Sequence, residues 1–321
     1  MLHVAPELEE LVWGLRWAGR RSRGVPYAYP AFERILRRHR VAHIHRSVVY
    51  AQVLGSLPNL LPWIFTLHGV GFEEHWAHRP DMVQDIREYN EVAMRVIQAA
   101  PRSTVVARWL QDYVKERTGI APPVTPPGID LDEIARAGPE AFLRTSGLPP
   151  GYLLWVGRLA HEKGLDAFIG LAKRIPDRTF VVVTDRPQTE AFQEVKGPWP
   201  ANVRYLNGLP RPTVVSAFHA CSIHVSTSLY ESASTTIPEA MACGKPVVGP
   251  DLFGPREIIQ DSGGGYLYDP SLPDDLVHQV LAALDRPELG RKGQAYVREK
   301  RDWKKLAAYF DSQYEELASE A

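Results

Sequence analysis

The chain is short of the residues and patterns that would place it in several functional classes. It has only two cysteines, Cys221 and Cys243, in 321 residues. They form no C-x-x-C and no His-Cys cluster, which argues against a disulfide scaffold or a structural zinc site and fits a reducing compartment. Net charge is close to absent, at −1, so no global field points to nucleic acid. No window approaches the roughly 18 apolar residues that a membrane-spanning helix requires. The opening decapeptide carries early acids and no long apolar core, so it does not read as a signal peptide. The expected location is cytoplasmic. Phosphate-binding signatures of the common kinds are missing too. Gly244-Lys245 lacks the upstream glycine of a P-loop, and Gly263-Gly264-Gly265 reads as a tight turn before a strand.

What is there is an ordinary globular composition, 45% apolar, with enough length for two domains. The charge is unevenly placed. Between Leu11 and Arg40 stand eight arginines (Arg16, Arg20, Arg21, Arg23, Arg34, Arg37, Arg38, Arg40) against one acid, Glu33, with Trp13, Trp17, Tyr27 and Tyr29 among them. Two readings stay open for this stretch. It is a solvated surface whose arginines pair with acids elsewhere, or a patch that touches an anionic membrane or an anionic acceptor.

The second half alternates short Val-rich apolar runs with helical spacing. The runs at 152–156, 179–184, 203–206, 223–226 and 246–248 predict buried parallel strands covered by helices on both faces. Such doubly wound sheets bind ligands at the carboxyl ends of their strands. The first half repeats the style, with strands expected at 41–45, 63–67 and 103–107. A long helix is expected over 81–99, with Met82, Val83, Ile86, Tyr89, Ala93, Val96 and Ile97 on one face. A Pro/Gly-rich join, 121–128, follows the helix expected over 109–117. The segment 301–317 reads as one helix with Trp303, Leu306, Tyr309 and Tyr314 as its apolar stripe. The predicted division is 1–130, 131–302 and a C-terminal helix at 303–321.

Two stretches carry chemistry. After the first strand of the second domain comes Val156-Gly-Arg-Leu-Ala-His-Glu-Lys-Gly164. Gly157 lets a ligand approach the backbone, and Arg158 and Lys163 set two cations at the strand's carboxyl end, suited to phosphate oxygens. Farther on, Glu231 and Glu239 stand eight positions apart, separated by a small polar turn, Ser232 to Thr236, that leads into an Ala-rich helix ended by Gly244. The N-terminus of such a helix presents unpaired N–H groups to an anion. Together these features describe a pyrophosphate site. His43 and His45 share one face of a strand, but no further ligand cluster accompanies them, so no metal site is expected. Asp130-Leu-Asp132 reads as a helix cap rather than a metal motif, and Cys243 as a packed structural thiol.

Gly157-Arg-Leu-x-x-Glu-Lys-Gly164 together with Glu231-x7-Glu239-Ala-Met-Ala-Cys-Gly-Lys-Pro-Val-Val resembles the family 4 retaining glycosyltransferases. The likeness covers nearly all of the second domain and extends more weakly through His43-Ile-His45, Thr66-Leu-His-Gly69 and Pro127-Gly-Ile-Asp130. It implies an α/β GT-B fold, two Rossmann-like domains facing a central cleft, with the C-terminal helix crossing back onto the first domain. It implies that Arg158 and Lys163 neutralise the leaving diphosphate and that Glu231 sits by the donor sugar hydroxyls. Amides and side chains around Ser234, Thr235 and Thr236 would contact phosphate or sugar, and Glu239 the nucleotide ribose. His68 would face the donor sugar from the first domain. Eight residues of helix rise at most about 12 Å, comparable with the span from hexose to ribose. The implied activity moves a hexose from a nucleotide diphosphate sugar to a hydroxyl acceptor, with no metal or other cofactor.

Three departures stand out. The family opens on a strand, a Gly-Gly loop and a helix, whereas Leu2-His3-Val4 runs at once into Pro-Glu-Leu-Glu-Glu; either the first βα unit is shortened or the chain begins about one unit late. The usual Pro-Asn-Gly at the domain join is Pro127-Gly128, and a common glycine is Ser234. Two further readings therefore remain: a catalytically weak nucleotide-sugar-binding subunit, and a GT-B sugar-nucleotide epimerase.

Overall fold

The computed structural model describes residues 40–45, 51, 61–73, 80–195, 199–272 and 274–320. The arginine-rich stretch 11–40, apart from Arg40, and the opening segment with Leu2-His3-Val4 lie outside the described residues.

The first domain holds a parallel sheet in the order β1 (Ala42–His45), β2 (Trp63–Leu67), β3 (Arg102–Val105). Central β2 is buried at every position, as its run, apolar except for Thr66, requires when both faces are covered. Helix α1 (Pro80–Ala99) buries Ile86, Ala93, Val96 and Ile97, the apolar face that its 3.6-residue spacing predicts. Helix α2 (Arg108–Thr118) buries Leu110 and Val114 and closes on Gly119 in the left-handed region. A hydroxyl chain runs through this core. Thr66 and Thr104 are 2.7 Å apart, and Thr125 donates to Thr104 at 3.0 Å, so the buried hydroxyls are satisfied.

Two short helices follow, α3 (Leu131–Arg136) and α4 (Glu140–Ser146). Asp130 caps α3 by accepting from the Glu133 N–H at 2.9 Å. Strands β4 (Leu153–Val156), β5 (Phe180–Thr184), β6 (Val203–Asn207), β7 (Ile223–Val225), β8 (Val247–Pro250) and β9 (Gly265–Tyr268) then form one parallel sheet in the order β6-β5-β4-β7-β8-β9. Between them run α5 (Leu165–Arg174), α6 (Gln188–Glu194), α7 (Arg211–Ala220), α8 (Thr236–Ala242) and α9 (Phe253–Ser262). Helices α10 (Asp275–Leu284) and α11 (Glu288–Lys300) follow. The strand order reverses between β4 and β7. A crevice opens outside the carboxyl ends of those two strands, where loops part to opposite faces.

The C-terminal helix expected at 303–321 is α12, Trp303–Glu320; Arg301, which the reading of 301–317 as one helix included, instead caps the end of α11. The break is imposed from afar: Ile129 donates to the Arg301 carbonyl at 2.6 Å, and Trp303 donates to the Ile129 carbonyl at 3.1 Å. Helix α12 lies on the first sheet, where Phe310 and Leu317 cluster with Ile64. Arg102 of β3 binds Glu316 at 2.6 Å and Glu320 at 2.8 Å. Among the described residues, no helix is long and apolar enough to cross a membrane.

Candidate active site

A cavity of about 700 Å³ lies where the two sheets meet, within the range of small-molecule sites. Its second-domain wall comes from the loops that leave β4 and β7, the strands flanking the crevice. Arg158, His161, Glu162 and Lys163 come from the first loop, and Tyr230, Glu231, Ser232 and Ala233 from the second. The first-domain wall comes from His68 to Gly71, which follow β2, and from Asp85, Ile86 and Tyr89 of α1.

The two second-domain loops are stitched together. Leu229 donates to the Glu162 carbonyl at 2.8 Å, and Thr227 Oγ1 to the Lys163 carbonyl at 3.1 Å. Trp155 Nε1 in turn donates to Thr227 Oγ1 at 3.0 Å. Gly164 makes this approach feasible, because its φ is +60° and a Cβ there would lie 2.2 Å from the Thr227 carbonyl oxygen. Gly157 has a packing reason as well, since a Cβ would meet the Trp155 ring at 3.0 Å.

The cations do not stand alone. The Lys163 ammonium is bonded to Glu231 Oε2, both side chains being about four-fifths buried. Arg158, largely exposed, lies 3.6 Å from Glu162. Each cation is thus matched by a carboxylate on the same wall. Sequence reasoning placed these residues side by side without showing that they pair.

Other predicted residues stand back from the cavity wall. Ser234 is buried, and its Oγ accepts from the Ile237 N–H at 3.3 Å. Thr235 and Thr236 begin α8. Glu239 is buried within α8, where Nη1 of Arg211 meets its Oε1 at 2.7 Å. Arg211 turns its other edge to Glu133, at 2.9 Å. Burial pushes the Glu239 carboxyl above the usual carboxylate range, and Arg211 opposes that shift. Both cysteines are free and buried, and burial pushes each thiol up to about 12.

His68 Nε2 lies 3.0 Å from His45 Nδ1. Behind them His43 bridges Tyr314 of α12 and Thr66 of β2, each at 2.7 Å. Burial, with His45 and His68 beside it, lowers the His43 imidazole from 6.5 to about 3. Among the described residues, no group of three or more His, Cys, Asp or Glu is placed to hold a metal ion.

The domains meet through an aromatic cluster that sequence reasoning did not foresee. Phe72 stacks on Phe253 at 5.2 Å, and both contact Trp109 and Tyr230. Trp109 Nε1 donates to the Ser232 carbonyl at 2.9 Å, and Glu257 of α9 accepts the N–H groups of Arg108 and Trp109 at the start of α2. Phe253 takes φ +43°, a left-handed conformation that costs an L-residue about 1–2 kcal/mol. The stack on Phe72 offsets it.

Two parallel α/β domains facing one cleft define a GT-B protein. Residues 145–300 match the family model described as glycosyl transferases group 1. The 2-deoxystreptamine N-acetyl-D-glucosaminyltransferase of Streptomyces fradiae is 29% identical over 247 residues, 68% of this chain and 56% of that protein. The GDP-mannose-dependent alpha-mannosyltransferase of Mycolicibacterium smegmatis is 31% identical over 144 residues, 44% of this chain and 37% of that protein. The chain spans about half the length of the curated relatives it matches. In fold it is similar to sucrose-phosphate synthase of Thermosynechococcus elongatus, with a TM-score of 0.77 at 18% identity over 94% of this chain and 81% of that one. HepE of Anabaena, solved with UDP-glucose, gives 0.74 at 18% identity over 91% and 82%.

Proposed function

We propose that this chain is a retaining glycosyltransferase of the family 4 kind, moving a hexose from a nucleotide diphosphate sugar to a hydroxyl acceptor without a metal. The observation that carries the reading is the cavity at the strand-order reversal, where Lys163, Arg158, Glu231 and His68 converge. The binding of UDP-glucose by the structurally similar HepE supports a nucleotide sugar as donor.

The chemistry follows from charge. The bond between the anomeric carbon and the diphosphate oxygen breaks, and its electron pair leaves with the diphosphate. Lys163 and Arg158 stabilise that anion more strongly as it develops than in the ground state. The acceptor oxygen bonds to the anomeric carbon and its proton passes to the departing phosphate oxygen, so no dedicated base is needed. Glu231 and His68 orient the sugar from opposite walls.

Calorimetry with UDP, GDP and ADP tests the site. Lys163→Ala and Glu239→Ala should each weaken binding of the preferred diphosphate about tenfold or more, ~1.4 kcal/mol; two variants that bind like wild type would relocate the site. Glu231→Ala should reduce turnover more than nucleotide affinity. Turnover should persist in EDTA, and the product should keep the donor's anomeric configuration by NMR. Epimer formation without transfer would instead identify the epimerase.

A further inference from the structure

Arg211 is absent from the motifs that define the site, yet its contacts single it out. It opens α7, directly after the loop that leaves β6, so it stands at the carboxyl edge of the sheet where ligands bind. Its guanidinium is used on two sides. Nε and Nη2 fork onto Glu133 at 3.2 and 2.9 Å, and Nη1 reaches Glu239 Oε1 at 2.7 Å. Glu239 is only 8% exposed. A carboxylate that buried needs a partner to remain ionised and to keep one orientation. The Arg211 contact falls on Oε1.

We propose that Arg211 is a positioning residue for nucleotide recognition: by pinning Oε1 of Glu239 it holds the carboxylate charged and leaves Oε2 to accept from the vicinal hydroxyls of the ribose. Glu133 fixes the guanidinium from the other side, so that its planar fork is set before the ligand arrives. The inference rests on the assignment of Glu239 to the nucleotide ribose. Its content beyond that assignment is that a residue outside the motif decides whether the motif's acid can work. Lysine at 211 could supply the charge but not the two-sided fork.

The test compares UDP, GDP and ADP with their 2′,3′-dideoxy counterparts by calorimetry, in wild type, Arg211→Ala, Arg211→Lys, Glu133→Gln and Glu239→Gln. Thermal melts identify any variant that fails to fold, and the lysine and glutamine variants carry the test if Arg211→Ala is one. Wild type should prefer the ribonucleotide at least about tenfold. Arg211→Ala should shrink that preference to about threefold or less while leaving affinity for the dideoxy compound unchanged, with Arg211→Lys and Glu133→Gln in between. An Arg211→Ala or Arg211→Lys protein that keeps the full preference, or weakens both ligands in parallel, overturns the proposal. In that case loss of preference in Glu239→Gln leaves the ribose assignment standing. If Glu239→Gln also keeps the preference, or wild type binds none of the diphosphates, the assignment and the proposal fall together.

Discussion

Lys163, Glu231, Gly164 and His43 show how single residues set this site. Gly164 is forced by both backbone and space, with φ +60° and 2.2 Å between a built Cβ and the Thr227 carbonyl oxygen. Gly164→Ala should therefore cost about 2–3 kcal/mol, read from urea unfolding, and part the two cavity loops. His43 gives a pH signature. Its folded imidazole lies at about 3 against 6.5 unfolded, so between those values the unfolded chain binds more protons. The contribution is whole above 6.5 and declines as pH falls through it. Between pH 7 and pH 5.5 this group alone should remove about 1 kcal/mol of stability, and urea midpoints at the two pH values should differ less in His43→Gln. Arg158, Lys163, Glu231 and His68 were legible because each follows an apolar run by a few residues, which marks a strand's carboxyl end. Arg211 was not. Its partner Glu133 lies 78 positions earlier, and no local pattern relates them.

At the scale of elements, periodicity read well wherever burial was one-sided or complete. Helix α1 buries Ile86, Ala93, Val96 and Ile97 of the stripe its spacing predicts, and β2 and β5, apolar except for Thr66 and Thr184, are buried at every position. The end of α11 was illegible, because Lys300, Arg301 and Asp302 carry no breaker. What interrupts the helix is a bridge to Ile129, far away in the chain. Helix α12 ties the end of the chain to the first sheet through Phe310, 8% exposed. Phe310→Ala should destabilise by about 3 kcal/mol, with calorimetric unfolding as the readout. It should also disturb His43, whose ring lies 4.6 Å from that of Phe310.

For the whole molecule, the relevant fact is where two sheets meet. The cavity is assembled from loops of both, and aromatic contacts and Glu257 hold them together across it. Net charge is −1 overall while the stretch 11–40 is strongly basic and aromatic. We therefore expect the protein to float with phosphatidylglycerol vesicles at low salt and to lose that binding at high salt, where surface charges are screened. Absence from the vesicle fraction at low salt would leave the stretch as a solvated surface.

Local pattern alone was enough to name the two α/β halves, the loops bearing Arg158 and Lys163, and the helix bearing Glu239. Strand runs, helix spacing and turn residues are short-range signals, and they follow from how a backbone buries its polar groups. Tertiary structure decided the rest: that Lys163 pairs with Glu231, that Arg211 holds Glu239, and that Phe72, Trp109, Tyr230 and Phe253 close the join. Those contacts link residues tens to hundreds of positions apart. Their distances are set by how sheets and helices stack, which no local window contains.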